Sequence, residues 1–401
     1  SQATTGGLLP AEKLASAMAE GVNVVAHTEK DLGVDASAVY NDFKAEFNGA
    51  GFLATQLTAI GNDPYVIGAR SSDLAGFGTA TSLFTPTATS NRFGGVLQNS
   101  NWSLADFITQ ARGEYVVVHR PRGPQGLFNA AGFDPAAALG SGANAWWTGT
   151  GAYSQGVTNG SFDAIELLRG EGFDGASPDA WFQEFKQVRS DWFALLNMET
   201  PTHFTKALGL SSSRYSIDTP VGLARTFLKA TPTITNPPLL NTTSTDPLIQ
   251  DLTTVLAALR SGAAVASTGP FLDVSVGTKG PGSLVAGPAA SVNLTINLYR
   301  SDWMPVDQLR IVVNGAVVAT IDPATLAQDT TDTRLWSGTF PVVMPTTGTG
   351  AWIVVEAGVP LTQTGPYAVG TPWHDIMRGI YPIAVTNPIF VDVTGSGYTH
   401  P

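Results

Sequence analysis

The chain has 401 residues, no cysteine, a formal net charge of −11 and only 13% charged residues. Without cysteine there are no disulfides, thiolate metal sites or cysteine nucleophile, and an acidic balance with sparse Lys and Arg argues against a nucleic-acid footprint. A hydrophobic content of 43% supports well-filled cores. This length predicts two domains, or one large domain with an appendage, and no apolar run of about twenty residues is present to span a membrane.

Pro10 opens a helical segment over residues 11–20, with Leu14 and Met18 four apart and Gly21 as its stop. Residues 22–26 read as a buried strand. A second helix is expected over 36–47, where Val39, Phe43 and Phe47 share one face, and a third over 104–112 before a strand at 115–118. Residues 162–168 read as a strand and 180–196 as an amphipathic helix rich in Phe and Trp, whose aromatic residues are read as core. Strands alternating with helices predict an α/β core of parallel strands, compatible with a barrel. The Pro, Asn, Thr and Ser stretch at 231–246 reads as a loop, and 248–259 as a helix.

After Phe271 the period changes to two. Residues 292–298 alternate, 309–313 and 316–320 flank the hairpin pair Asn314-Gly315, and 352–357 supply a further strand. These short strands predict a β-sandwich, so the chain divides at 1–270 and 271–401, with the segment after Ala384 returning to the first part. Ser1 is expected to arise by processing, and a polar but uncharged surface suits an exported protein (periplasmic, cell-surface or extracellular).

Six stretches carry a further reading: Ala26-His27-Thr28-Glu29-Lys30-Asp31, Val118-His119-Arg120-Pro121-Arg122, Phe162-Asp163-Ala164-Ile165-Glu166, the turn from Ser211 to Thr226, Leu259 to Phe271, and Ala384 to Asp392. In this order the chain resembles the PHP superfamily, and within it the CehA/McbA-like metallohydrolases. The resemblance implies a distorted PHP-type (β/α)7-like barrel, lacking its first strand in this chain, followed by a small all-β sandwich. Its members hold divalent metals with His and carboxylate ligands, which acidify a water for attack on an ester or amide.

Carried over position by position, the resemblance marks Glu29, Lys30, Asp31, His119, Glu166, Ser212 and Arg214 as the former metal site. Lys30 stands where relatives have His, Ser212 where they have Asp, and Arg214 where they have His. Fixed cations among carboxylates can supply the compensation a metal once did, and they repel an incoming metal. The first expectation is therefore an inactive or impaired hydrolase relative with a structural, binding or complex-assembly role. No cofactor is expected, and Glu166 is expected to pair with Lys30 or Arg214. On this reading an N-terminal fragment of the same precursor supplies the missing strand, and other subunits of a surface assembly are possible partners.

The alternative is a hydrolase of esters, carbamates or phosphoesters using one Zn, Mn or Fe held by Glu29, Asp31, His119 and Glu166, with Arg122 and Arg225 on an anionic substrate. For both arginines, structural pairing is an equal alternative. A triad of Ser212, His119 and Asp31 has no Gly-x-Ser-x-Gly elbow to support it.

Overall fold

The computed structural model describes residues 20–22, 24–27, 33–34, 67–74, 79–83, 115–123, 126–137, 144–145, 147, 160–170, 178–210, 222–230, 247–346, 348, 350–365, 370–377 and 380–401. The expected helices over 11–20 (Glu20 aside), 36–47 and 104–112, and the loop at 231–246, lie outside them. The described strands begin with β1 (Val24–His27), β2 (Gly33–Val34), β3 (Ile67–Leu74), β4 (Thr79–Leu83), β5 (Tyr115–His119), β6 (Ala164–Arg169) and β7 (Lys206–Leu210). Next come β8 (Arg225–Leu228), β9 (Ala264–Ser267), β10 (Phe271–Val276), β11 (Leu284–Val285), β12 (Ser291–Tyr299) and β13 (Gln308–Val313). The last are β14 (Ala316–Ile321), β15 (Ala327–Gln328), β16 (Leu335–Val343), β17 (Gly350–Gly358), β18 (Ile383–Thr386) and β19 (Ile389–Asp392). The helices are α1 (Leu127–Ala130), α2 (Pro178–Leu196), α3 (Pro247–Ser261) and α4 (Pro372–Met377), and no described helix is long and apolar enough to cross a membrane.

The expected (β/α)7-like barrel is corrected by this arrangement. Among the described residues strand makes up 39% against 19% helix, in three sheets with no closed barrel, so what is described is dominated by sheet rather than by βα units. One sheet runs β1-β3-β4-β5-β6-β7 with β2 on β3, and a second runs β10-β12-β16-β15. The third runs β11-β19-β17-β18-β9-β8, with β13 on β17 and β14 on β13. The reason for the departure is strand direction. β5, β6 and β7 are parallel, as are β1 and β3, but β3–β4 and β4–β5 are antiparallel and interrupt any run of βα crossovers. The sheet containing β17 also crosses residue 270, because β9 pairs with β18.

Three packed regions hold these sheets together. α2 starts at Pro178, whose missing N–H costs nothing at a helix start, with Asp179 in the first turn. Its buried Trp181, Phe185, Val188, Trp192 and Leu195 recur at three- and four-residue steps and form one stripe. That stripe shares a core with Val116, Val118 and Ile165 of the first sheet and with Val312, Trp352 and Val354 of the third. Ile311, Val313, Ile353 and Val355, on the opposite face of the third sheet, pack against Leu272, Val274, Leu294 and Ile296 of the four-stranded sheet. β17 is consequently buried along all nine residues, which is why its sequence is apolar almost throughout. On the outer side of β5 and β7, Tyr115, Val117 and Leu208 meet Val255 and Leu259 of α3. Asn314 and Gly315 adopt φ of 49° and 87°, the backbone that a two-residue hairpin between β13 and β14 requires.

The first and third sheets meet along the edge of β7 that faces away from β6. Among the described residues no strand ladder joins them there. The Asn387 side chain accepts from Ala207 N at 2.9 Å and donates to Ala207 O at 3.1 Å, standing in for one residue of a neighbouring strand. The Thr226 hydroxyl accepts from Gly209 N at 3.0 Å and donates to Gly209 O at 2.8 Å. The approach is so close that a Cβ on Gly209 would lie 2.5 Å from Arg225 O.

Asn387→Ala is expected to lower stability by about 3 kcal/mol, because Ala207 then buries an unpaired donor and acceptor. Gly209→Ala is expected to destabilise by a comparable amount through forced separation of β7 and β8. Urea denaturation with an unchanged slope checks both, and a loss below about 0.5 kcal/mol for either would show that its edge contact does not bind the sheets.

Candidate functional site

The parallel register of β5 and β6 sets Val117 beside Ala164 and Val118 beside Ile165, so its next step brings His119 to Glu166. A register shift between Glu166 and Leu168 on the β7 side marks a local irregularity at this carboxylate, the kind of feature that re-aims a side chain. Glu166 is 7% exposed. His119 Nδ1 stands 3.6 Å from Glu166 Oε2, an electrostatic contact rather than a hydrogen bond, and His119 Nε2 lies 2.5 Å from the Thr81 hydroxyl. The backbone N–H of Arg120 donates to Glu166 Oε2 at 2.9 Å. Burial pushes the Glu166 carboxyl up, but His119 and the Arg120 N–H outweigh it and hold the group below its ordinary value.

Arg120 makes that contact from a left-handed backbone, φ 41°, unusual for a residue with a side chain. The turn around it is tight. Gly123 N donates to Arg120 O at 2.8 Å, and a Cβ on Gly126 would lie 2.2 Å from the same oxygen, so Gly126 has no substitute there. Strained backbone at the carboxyl end of a parallel strand is a recurrent feature of functional sites.

Between β6 and α2 lies a cavity of about 10 Å³, lined by Arg120, Glu166 and Arg169 on one side and by Trp181, Glu184 and Phe185 on the other. That volume admits nothing larger than a water molecule. Arg169 reaches Glu184 at 3.3 Å. Burial raises the Glu184 carboxyl, Arg169 pulls it back, and the Glu166 charge raises it again.

Arg122 is directed into the protein. Its Nε and Nη2 clasp Asp191 of α2 at 2.6 and 2.5 Å, and Nη2 also donates to Phe133 O at 2.7 Å. Asp191 is fully buried, and burial raises its carboxyl although Arg122 pulls it down. Arg225 donates to Gly222 O at 2.6 Å and to Glu20 O at 3.0 Å. Burial lowers its guanidinium from the ordinary value, with the Glu20 charge opposing.

Of the residues marked by sequence, His119 and Glu166 come together, while Arg122 and Arg225 engage separate acceptors. Glu29, Lys30, Asp31, Ser212 and Arg214 lie outside the described residues. Among those described, Glu166 meets His119 and the Arg120 N–H, with the Arg120 charge also acting on it, and its expected partners Lys30 and Arg214 lie outside the described residues. Among them also, no group of three or more His, Cys, Asp or Glu is placed to hold a metal ion. His119 and Glu166 offer two such donors.

Sequence reasoning missed Thr81, Arg169, Glu184 and Asp191. For Asp191 a signal existed: it interrupts the apolar stripe between Val188 and Trp192, and a buried acid on such a face requires a cationic partner. Thr81 sits in a short polar strand without distinguishing pattern. Comparison with models of protein families, with curated proteins and with solved structures matches nothing.

The geometry assigns Arg122 to holding the post-β5 turn against α2. Arg122→Lys, which keeps the charge but loses the two-pronged clasp, is expected to cost about 2–4 kcal/mol in chemical denaturation. Wild-type stability in this variant would leave the clasp without structural weight.

Proposed function

We propose that this chain is an exported binding or assembly protein, in which the polar cluster at the ends of β5 and β6 organises the fold and turns over no substrate. The observation that carries this reading is the pairing of the cluster among the described residues. His119 faces Thr81 and Glu166, Glu166 takes the Arg120 N–H, Arg122 clasps Asp191, and the described cavity beside them, about 10 Å³, holds no more than a water molecule. Groups already matched to protein partners are poor ligands and poor acid–base catalysts, because releasing them breaks buried polar contacts.

A second reading, hydrolysis assisted by one divalent metal, has one observation in its favour. His119 and Glu166 converge at the carboxyl end of parallel strands, where α/β sheets place their ligands, beside the strained Arg120. Its remaining carboxylates would be Glu29 and Asp31. Arg122 and Arg225 direct their donors to protein acceptors, so an anionic substrate would need other contacts.

Calorimetric titration with Mn²⁺ and Zn²⁺, together with hydrolysis of chromogenic phosphate and carboxylate esters, separates the two. The expected result is neither stoichiometric metal uptake nor activity that depends on Glu166. Metal uptake at one equivalent that disappears in Glu166→Gln and in His119→Ala, with ester hydrolysis lost in parallel, would replace the binding reading by the hydrolytic one.

A further inference from the structure

We propose that the C-terminal segment, residues 393–401, is a lid over Glu199 that opens when this carboxyl loses its proton. Glu199 follows the last turn of α2 and is 3% exposed. Its Oε2 accepts from Thr205 N at 2.8 Å and its Oε1 from the Thr205 hydroxyl at 2.7 Å. The segment reaches this spot through stacked rings. Tyr398 stands edge-on to Phe390 at 5.3 Å, and Phe390 edge-on to Phe204 at 5.0 Å, one residue before Thr205. It lies flat on the start of β17, where a Cβ on Gly350 would come 2.0 Å from Thr399 O and 2.7 Å from Tyr398 Cε2.

The closed position carries two costs, a buried carboxyl at Glu199 and an unpaired hydroxyl at Tyr398. The Tyr398 hydroxyl is buried and has no hydrogen-bond partner among the described residues. Burial raises the Tyr398 phenol, and the Glu199 charge raises it further. Against these costs stand the ring contacts and the base of the segment, where the Asp392 carboxylate accepts from Gly395 N at 2.8 Å and Gly397 N at 2.9 Å. Gly395 and Gly397 have φ of 76° and 103°, a backbone that suits a pivot.

Ionisation shifts this balance. Burial pushes the Glu199 carboxyl from 4.5 up to about 7, against the Thr205 hydrogen bonds and the Lys206 charge. Lys206 lies over the Phe204 ring at 4.6 Å, and burial lowers its own ammonium while Asp163 and Glu199 pull it back up. It is an incomplete counter-ion. A carboxyl raised in the closed state favours closure at and below pH 4.5 and loses that contribution as pH rises to about 7. Opening admits water to the charge and frees the phenol.

The test is hydrogen exchange on the full chain across this pH range, read as protection factors, which remove the intrinsic pH dependence of exchange. Wild-type residues 393–401 are expected to lose on the order of tenfold or more in protection as Glu199 ionises, while β17 keeps its own. In Glu199→Gln the segment is expected to hold its protection within about twofold at every pH. Besides Lys206, Tyr398 and Asp392, the ionisable side chains here are His203 in the same connection and His400 in the segment, and a variant carrying His203→Gln and His400→Gln is expected to keep the wild-type response. No change in the wild type, an unaltered response in Glu199→Gln, loss of the response in the histidine variant, or a parallel loss in β17 each overturns the proposal.

Discussion

The buried edge of β7 that faces away from β6 is the constraint on which the rest of the structure depends. A strand edge facing another sheet carries backbone donors and acceptors that must be paired or solvated. Here the third sheet approaches too closely for water, and among the described residues its edge strand β8 meets β7 without a backbone ladder. Asn387 and Thr226 resolve this by presenting a side-chain amide and a hydroxyl where a backbone would stand. Asn387 also ties β9, through bonds from its Nδ2 at 3.3 Å and its own N–H at 3.0 Å to Ala264 O. One buried residue therefore fixes the position of the β18–β19 turn against both sheets, and α2 gains a third-sheet face on which to pack.

Much of the secondary structure was legible because it depends on local patterns. The stripe of α2, the apolar run of β5 and the Asn314-Gly315 turn each follow from side-chain periodicity or a backbone preference within a few residues. What was not legible was how the strands combine. β3 and β4 read Ile-Gly-Ala-Arg-Ser-Ser-Asp-Leu and Thr-Ala-Thr-Ser-Leu, with little apolar alternation, yet they reverse the direction of the first sheet. Direction is set by which edges find partners at long range, and neither period two nor period 3.6 encodes it. A barrel was the wrong closure for this reason.

The candidate site shows the same division. His119 and Glu166 could be named from sequence and do meet, because adjacent parallel strands put residues of like depth side by side. The Arg120 backbone contact could not be named, since it depends on a φ of 41° imposed by the turn up to Gly126. The expected cationic partners for Glu166, at positions 30 and 214, lie outside the described residues, and the contacts that are described come from the neighbouring strand. A motif reports which residue types are present, and the register decides which of them touch.

Three buried or partly buried ion pairs in this acidic protein lie where one element must be held against another. Arg122 of the post-β5 turn meets Asp191 of α2, and Arg189 of α2 and Arg310 of β13 both pair with Glu356 of β17. Glu356 is fully buried, and Arg310 also donates to Val359 O at 2.7 Å. Such groups add little net stability over apolar residues of the same volume, because each charge must first leave water. Their effect is on geometry. The aromatic stripe of α2 has several comparable ways to lie on an apolar sheet, since dispersion contacts are individually weak and non-directional. A guanidinium facing a carboxylate in two-pronged contact accepts far fewer. With Asp191 and Arg189 two residues apart on the helix, the clasps to the first and third sheets together limit both sliding and rotation of α2. The helix is thus fixed by its few charged residues and buried by its many apolar ones, and the Glu166 cluster beneath it inherits its shape from that placement.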